Sequence, residues 1–193
     1  MKLVDRSEVM GLADYEPVRD HFRARVIEEK RVRRVALGPK ASCVFENHDT
    51  ALMQIQEMLR TERITKESSI QHEIATYNEL VPGPNELSAT VMIAIADNAE
   101  RDAFLIAARG FERSVSLVVD GEKQPAKWDP ARELPERTSA VHYLKFPLTD
   151  RAVAHLRTKR KDAKVELVVE HAVYEARTAL DAATLVSLAD DLD

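Results

Sequence analysis

Residues 45–84 constrain this chain more than any other stretch. They read FENHDTALMQIQEMLRTERITKESSIQHEIATYNELVPGP, two amphipathic helical segments in tandem, closed by the breaker Pro82-Gly83-Pro84-Asn85. Ala51, Leu52, Ile55, Met58 and Leu59 share one face of a first helix over about 49–63. Ile70, Ile74, Tyr77, Leu80 and Val81 share one face of a second over about 66–80, with Thr65 placed to cap it. The short connection predicts an antiparallel hairpin, with Ile55 across from Ile74 and Leu59 across from Ile70. Its polarity exceeds what solubility needs. Glu62 and Glu73 fall inside the apolar arcs, Gln56 lies at an edge, and His72 runs along the polar flank. Burying such groups is costly unless each finds a partner.

The rest of the chain predicts an α+β protein. An N-terminal helix runs from Pro17 to about Arg34, with Val18, Phe22, Val26 and Val32 on one face and Arg25, Glu29 and Arg33 intruding on it. Strands at 34–37 and 41–46 form a β-hairpin around Gly38-Pro39, with Cys43 packed as a small hydrophobe. The breaker then divides a helical section, 1–84, from a sheet-forming section, 85–193, packed as one unit. In the second section the order is strand 88–96, helix 99–109 behind an Asp97/Asn98 cap, strand 114–119, a turn at Asp120-Gly121, a proline-bearing segment to Trp128, and a loop at 129–137. Strand 141–148, helix 150–159, a long strand 165–176 and helix 179–192 follow. Without the 121–139 excursion this is strand–helix–strand–strand–helix–strand, the order of a ferredoxin-like plait with an antiparallel or mixed sheet. In a plait, the core-phased His142 and His171 would share one sheet and could form a two-histidine metal site.

Several function classes drop out. A net charge of -5 gives no global drive toward nucleic acid, which leaves the basic run Lys30–Arg34 as a minor nucleic-acid alternative and, more simply, a solvated helix end. There is no phosphate-cradling glycine motif and no nucleophile elbow. Cys43 is the single cysteine; mid-strand among Val44 and Phe45, it is inert rather than nucleophilic. With no disulfide within one chain, no apolar run at the N-terminus and no membrane-length stretch, the expected location is the cytoplasm.

The hairpin therefore carries the functional expectation. The simplest reading is that its polar groups are satisfied internally and hold the hairpin in register. A second is a carboxylate–imidazole metal site using Glu57, Glu62, His72 and Glu73, with Glu46 nearby, suited to iron, manganese or zinc. Against it, the chain has no Glu-x-x-His pair of the helical di-iron kind. A third is a docking surface drawn from Glu46, Asn47, Gln54, Gln56, Glu57, Arg60, Glu62, Glu73 and Asn78. The leading functional expectation is a non-catalytic accessory or binding protein that docks a partner through residues 45–80, with the metal protein as its alternative. No reaction can be assigned.

Arg33–Gly38 (RRVALG), Phe45-Glu46-Asn47, Asp49-Thr50, Gln54–Glu62 (QIQEMLRTE), Tyr77–Ala89 (YNELVPGPNELSA) and, more weakly, His142–Phe146 carry a resemblance. The chain resembles, nearly end to end, an uncharacterised bacterial family catalogued as domain of unknown function 3501. The family has no established activity, so the resemblance transfers no catalytic residue. Its members are often encoded beside rubrerythrin-like proteins and an iron–sulfur oxidoreductase. The resemblance thus implies an accessory role in peroxide- or iron-linked redox chemistry, with such a protein as partner.

Overall fold

The computed structural model describes residues 1–192. A 3-10 turn at Arg6–Glu8 leads into α1 (Leu12–Val32), the hairpin β1 (Arg34–Leu37) and β2 (Ala41–Glu46), then α2 (His48–Thr61) and α3 (Glu67–Asn78). Next come β3 (Glu86–Ile93), α4 (Asn98–Ala107), β4 (Val115–Val119), β5 (Glu122–Pro125), β6 (Val141–Pro147), α5 (Asp150–Lys159), β7 (Val165–His171), β8 (Tyr174–Ala179) and α6 (Ala182–Asp191). The α+β class holds, and the helical hairpin lies within a residue or two of where periodicity puts it. The local signals differ in detail. Asn47 caps α2 in a reciprocal box with Thr50, whereas the N-cap position of α3 is Lys66, which makes no side-chain cap bond, so Thr65 does not serve as one. The expected long strand 165–176 is two strands, because the chain reverses after His171 and β8 pairs back on β7.

The strands form two antiparallel sheets, ordered β1-β2-β3-β6 and β5-β4-β7-β8. This departs from a single ferredoxin-like sheet: β3 pairs with β6, and β4 with β7, in different sheets. A sequence-local strand order does not specify which strands share hydrogen bonds, and here the N-terminal hairpin takes the place beside β3 that a plait would give to another strand. The sheets meet at both edges. Lys127, just beyond β5, exchanges both backbone bonds with Lys145 on β6. On the other side the Tyr174 and Thr178 hydroxyls of β8 donate to the Leu37 and Ala36 carbonyls of β1. The Tyr174 hydroxyl lies so close to the β1–β2 turn that a Cβ on Gly38 would sit 2.7 Å from it, and Gly38 also has a φ of +64°. Both constraints demand glycine there.

One core lies between the sheets. Cys43, Phe45, Leu87, Ala89, Val91, Leu144 and Phe146 meet Val115, Leu117, Val165, Leu167 and Val169, joined by Leu105, Leu156, Leu185 and Leu188 from the helices. A second, smaller core belongs to the helical hairpin: Ala51, Ile55, Leu59, Ile70, Ile74, Leu80 and Val81, sealed by Val4 and Val9 from the N-terminal segment. Alternation along β2, β3 and β6 gives the first sheet an opposite, polar face. Glu46, Ser88 and Lys145 are directly in register across it, next to the row Val44, Thr90 and Tyr143.

Candidate functional site

The expected site residues of the helical hairpin are mostly engaged in holding the N-terminal segment. Gln56 is 1% exposed; its Oε1 accepts from the Met10 N–H at 2.6 Å and its Nε2 donates to the Met10 carbonyl at 3.3 Å. Asn78 does the same to Val4, accepting at 2.8 Å and donating at 3.0 Å. Glu57 accepts from the Tyr15 hydroxyl and twice from the Arg19 guanidinium, each at 2.8 Å, and the Arg19 bonds hold its carboxyl below the ordinary value. Arg60 grips Glu16 through two bonds of 2.7 and 2.9 Å. Asn47, besides capping α2, donates to Glu29 of α1. The buried Glu46 accepts from Thr90 at 2.7 Å through one oxygen, and its other oxygen has no partner.

The remaining expected residues do not assemble. Glu62 is the exposed C-terminal cap of α2, His72 is exposed on α3, and Gln54 and Glu73 are half-buried without a side-chain hydrogen bond. Glu57 is neutralised by Arg19. The proposed ligand set Glu57, Glu62, His72 and Glu73 therefore does not converge, and among the described residues no cluster of three His, Cys, Asp or Glu could hold iron, manganese, zinc or another metal ion. The two-histidine alternative fails on topology: His142 lies on β6 in one sheet, while His171 closes β7 in the other and bonds the Arg109 carbonyl at 3.1 Å. The Lys30–Arg34 run is not a continuous basic face, because Arg33 is fully buried. Its guanidinium donates to the Phe45 and Glu46 carbonyls and to Ser187, and pairs with Asp191.

The open site lies beside the hairpin. A cleft of about 350 Å³ separates the C-terminal end of α3 from the polar face of β3 and β6, with residues 127–132 along its rim. Tyr77 and Leu80 come from the helix side, Ser88, Tyr143 and Lys145 from the sheet, and Trp128 and Arg132 from the rim. Its volume falls at the small end of the range for ligand pockets, about 300–1,000 Å³. Ser88 is 2% exposed as a residue and lines the cleft. Next to it on β6, Lys145 donates to the Val81 carbonyl at 2.8 Å and faces Glu86 at 3.4 Å. Burial pulls the Lys145 amine below its ordinary value, with Glu86 opposing the shift. Arg132 lies over the Tyr143 ring, 5.1 Å from its centroid, while bonding Glu79 at 2.8 Å.

Trp128, Asp129, Arg132 and Tyr143 also border a second cavity of about 280 Å³ on the far side of the rim. Its floor holds Glu112, Thr138 and His142, all buried. Thr138 donates to Glu112 at 3.0 Å, and His142 Nδ1 stands 3.7 Å from the same carboxylate oxygen, too far for a hydrogen bond. The ring stacks on Phe111. Burial pushes the imidazole below its ordinary value, against the pull of Glu112.

Sequence reasoning missed Ser88, Trp128, Tyr143 and Lys145 as site residues. A signal was present: Ser88, Thr90, Tyr143 and Lys145 alternate out of phase with Leu87, Ala89, Leu144 and Phe146, so a strand reading puts them on a non-core face. Nothing in the sequence shows that a helix covers that face and leaves a gap. Among the described residues no helix is long and apolar enough to cross a membrane.

A crystal structure of a novel protein of unknown function from Burkholderia pseudomallei K96243 is similar to this chain, with 36% identity, a TM-score of 0.92 and 100% of each chain covered. No curated protein matches. The family model described as "Protein of unknown function (DUF3501)" matches residues 3–192, and the chain belongs to that family.

Proposed function

We propose that this is a non-catalytic binding protein whose ligand site is the cleft between α3 and the polar face of the first sheet. The observation that carries this reading is the cleft itself, about 350 Å³ walled by the rings of Tyr77, Trp128 and Tyr143, with Ser88 and Lys145 on its sheet side. Two points favour binding over catalysis. The Lys145 amine is bonded to Val81 and faces Glu86, so no hydrogen bond joins it to Ser88 as base to nucleophile. His142 and Glu112 face the other cavity and are not hydrogen-bonded to each other.

The docking surface expected over residues 45–80 narrows, in this reading, to the end of α3 and the adjoining sheet face, since Gln56, Glu57, Arg60 and Asn78 are occupied within the chain. An accessory place beside a rubrerythrin-like or iron–sulfur protein belongs to the same proposal and rests on the family resemblance. Fragment mapping by two-dimensional NMR tests the cleft. Shifts on adding small aromatic fragments should concentrate at residues 76–80, 88, 127–132 and 143–145. Shifts scattered over the surface, or gathered on the exposed side of α3 around His72, would refute it.

A further inference from the structure

We infer that the second cavity, the one floored by Glu112, Thr138 and His142, binds an alkylammonium ion: a primary amine on an unbranched apolar stem. This is a site apart from the cleft and does not depend on it. The floor calls for a cation. Glu112 is 6% exposed, yet among the described residues it has no lysine or arginine as an ion-pair partner. Thr138 donates to its Oε2 at 3.0 Å, and His142 Nδ1 lies 3.7 Å from the same oxygen. Burial holds His142 below its ordinary value, so at neutral pH the ring leaves the carboxylate uncompensated. A buried carboxylate without a counter-charge is costly, and a cation entering the cavity would offset that cost. With Oε2 shared with Thr138, Oε1 is the oxygen left for a guest. A single acceptor suits the compact ammonium better than the forked guanidinium.

The surrounding charges agree. Glu112, Asp129 and Glu133 line the cavity against the single guanidinium of Arg132. The nearby cations are engaged with other acids. Arg132 bonds Glu79 at 2.8 Å and stands 3.6 Å from Asp129. Arg113 bonds Glu133, and Arg109 acts on Glu133 from further off. Counting these outer groups, four carboxylates face three guanidinium groups, and Glu112 is the acid left over. A monocation balances it, and an anion would be repelled.

The mouth calls for an apolar stem. Leu134, Val141 and Tyr143 line the same cavity with 47%, 40% and 41% of their surfaces exposed. Exposed apolar side chains scattered singly are ordinary, but these three gather at one opening over a buried carboxylate. An amine that reaches Glu112 lays its methylenes against them and removes that surface from water.

The full chain is titrated at neutral pH by two-dimensional NMR with pentylamine. Pentanol keeps the stem without the charge, methylamine keeps the charge without the stem, and pentanoate reverses the charge. Pentylamine should saturate at one per chain and shift residues 112, 134 and 138–142, with the other three about tenfold weaker or more. Bound amine should also lower the pH at which the His142 ring titrates, because two cations then compete for one carboxylate. Glu112→Gln, which keeps an acceptor for Thr138, should weaken pentylamine about tenfold or more and leave pentanol unchanged. If that variant does not fold, Leu134→Ser at the exposed mouth tests the stem: pentylamine should weaken about threefold and methylamine not at all. Nα-acetyl-lysine methylamide, run in parallel, carries the same ammonium on a peptide. Binding tighter than pentylamine names a protein lysine as the source, and weaker binding names a free amine. Pentanol or pentanoate binding as well as the amine, or a His142 titration unmoved at saturation, overturns the cation assignment. Pentylguanidinium binding more tightly than pentylamine overturns the choice of ammonium. If the amine causes no saturable shift, or its shifts gather at residues 76–80, 88 and 145, this inference falls and the cleft reading stands.

Discussion

Gln56 grips Met10 as one strand grips another: its amide oxygen and nitrogen bond both backbone groups of that single residue, at 2.6 and 3.3 Å. A buried amide in the middle of α2 thereby becomes the anchor for a segment whose own regular structure is one 3-10 turn, Arg6–Glu8. Asn78 repeats the arrangement on Val4, and Val4 and Val9 then seal the hairpin core. Gln56→Ala should lower stability by about 1–3 kcal/mol, since it leaves the Met10 groups to be resolvated and opens space in the core. In hydrogen exchange, protection at Met10 should fall before protection of α2. An unchanged urea midpoint together with unchanged Met10 protection would contradict this anchoring role.

Arg33 should behave as a buried staple rather than a surface charge. It is wholly buried, bonds the Phe45 and Glu46 carbonyls, and pairs with Asp191 near the end of α6. Desolvation nevertheless raises the Asp191 carboxyl, with Arg33 only partly offsetting the shift, which marks a pair whose partners each depend on the other. Arg33→Met should cost about 3–5 kcal/mol, and adding Asp191→Leu should recover part of that loss. Denaturant unfolding of the two variants checks both. A single variant within about 0.5 kcal/mol of the wild type would show that the pair is not structural.

His142 makes stability depend on mild acid. Its folded value lies below the ordinary 6.5 because burial disfavours the imidazolium. Between these two values the unfolded chain holds the proton and the folded chain does not, so stability falls as pH drops through that window. Below the folded value both states are protonated and the dependence ends. The groups facing the ring, Glu112, Thr138 and Phe111, include one carboxylate, and it acts in the opposite direction. His142→Gln should flatten the stability profile below pH 6.5, relative to wild type. Parallel profiles for the two proteins would rule out His142 as the source.

Cys43 should be silent toward thiol reagents in the folded protein. It is fully buried between the sheets, and burial pushes its thiol well above the ordinary value. Labelling with iodoacetamide should begin only as the chain unfolds and should follow the global unfolding equilibrium. Rapid labelling under native conditions would mean that the core opens locally around β2.

Glu62→Gln and His72→Ala should each change stability by no more than about 0.5 kcal/mol, because both side chains are exposed and without hydrogen bonds. Thermal unfolding with and without added manganese or zinc checks this. A metal-dependent rise in Tm that disappears in either variant would revive the carboxylate site.

The sequence by itself determined the local elements of this protein. The 3.6-residue pattern of Ile55, Leu59, Ile70 and Ile74 places two helices, the Pro82–Asn85 breaker ends them, and Asp97 caps α4 as its side-chain type predicts. These are short-range effects, in which each residue's preference acts within a turn or two of its own position. Tertiary structure decided the strand partners, because ladder hydrogen bonds form equally well between many pairs of strands, and only packing of the whole core selects among them. Pairing β7 with β4 instead of β3 separates His142 from His171, and the β3–β6 ladder brings Ser88 beside Lys145. The same packing turns Arg33, Gln56 and Glu57 inward onto partners far along the chain, so residues that read as a site in one dimension became braces in three.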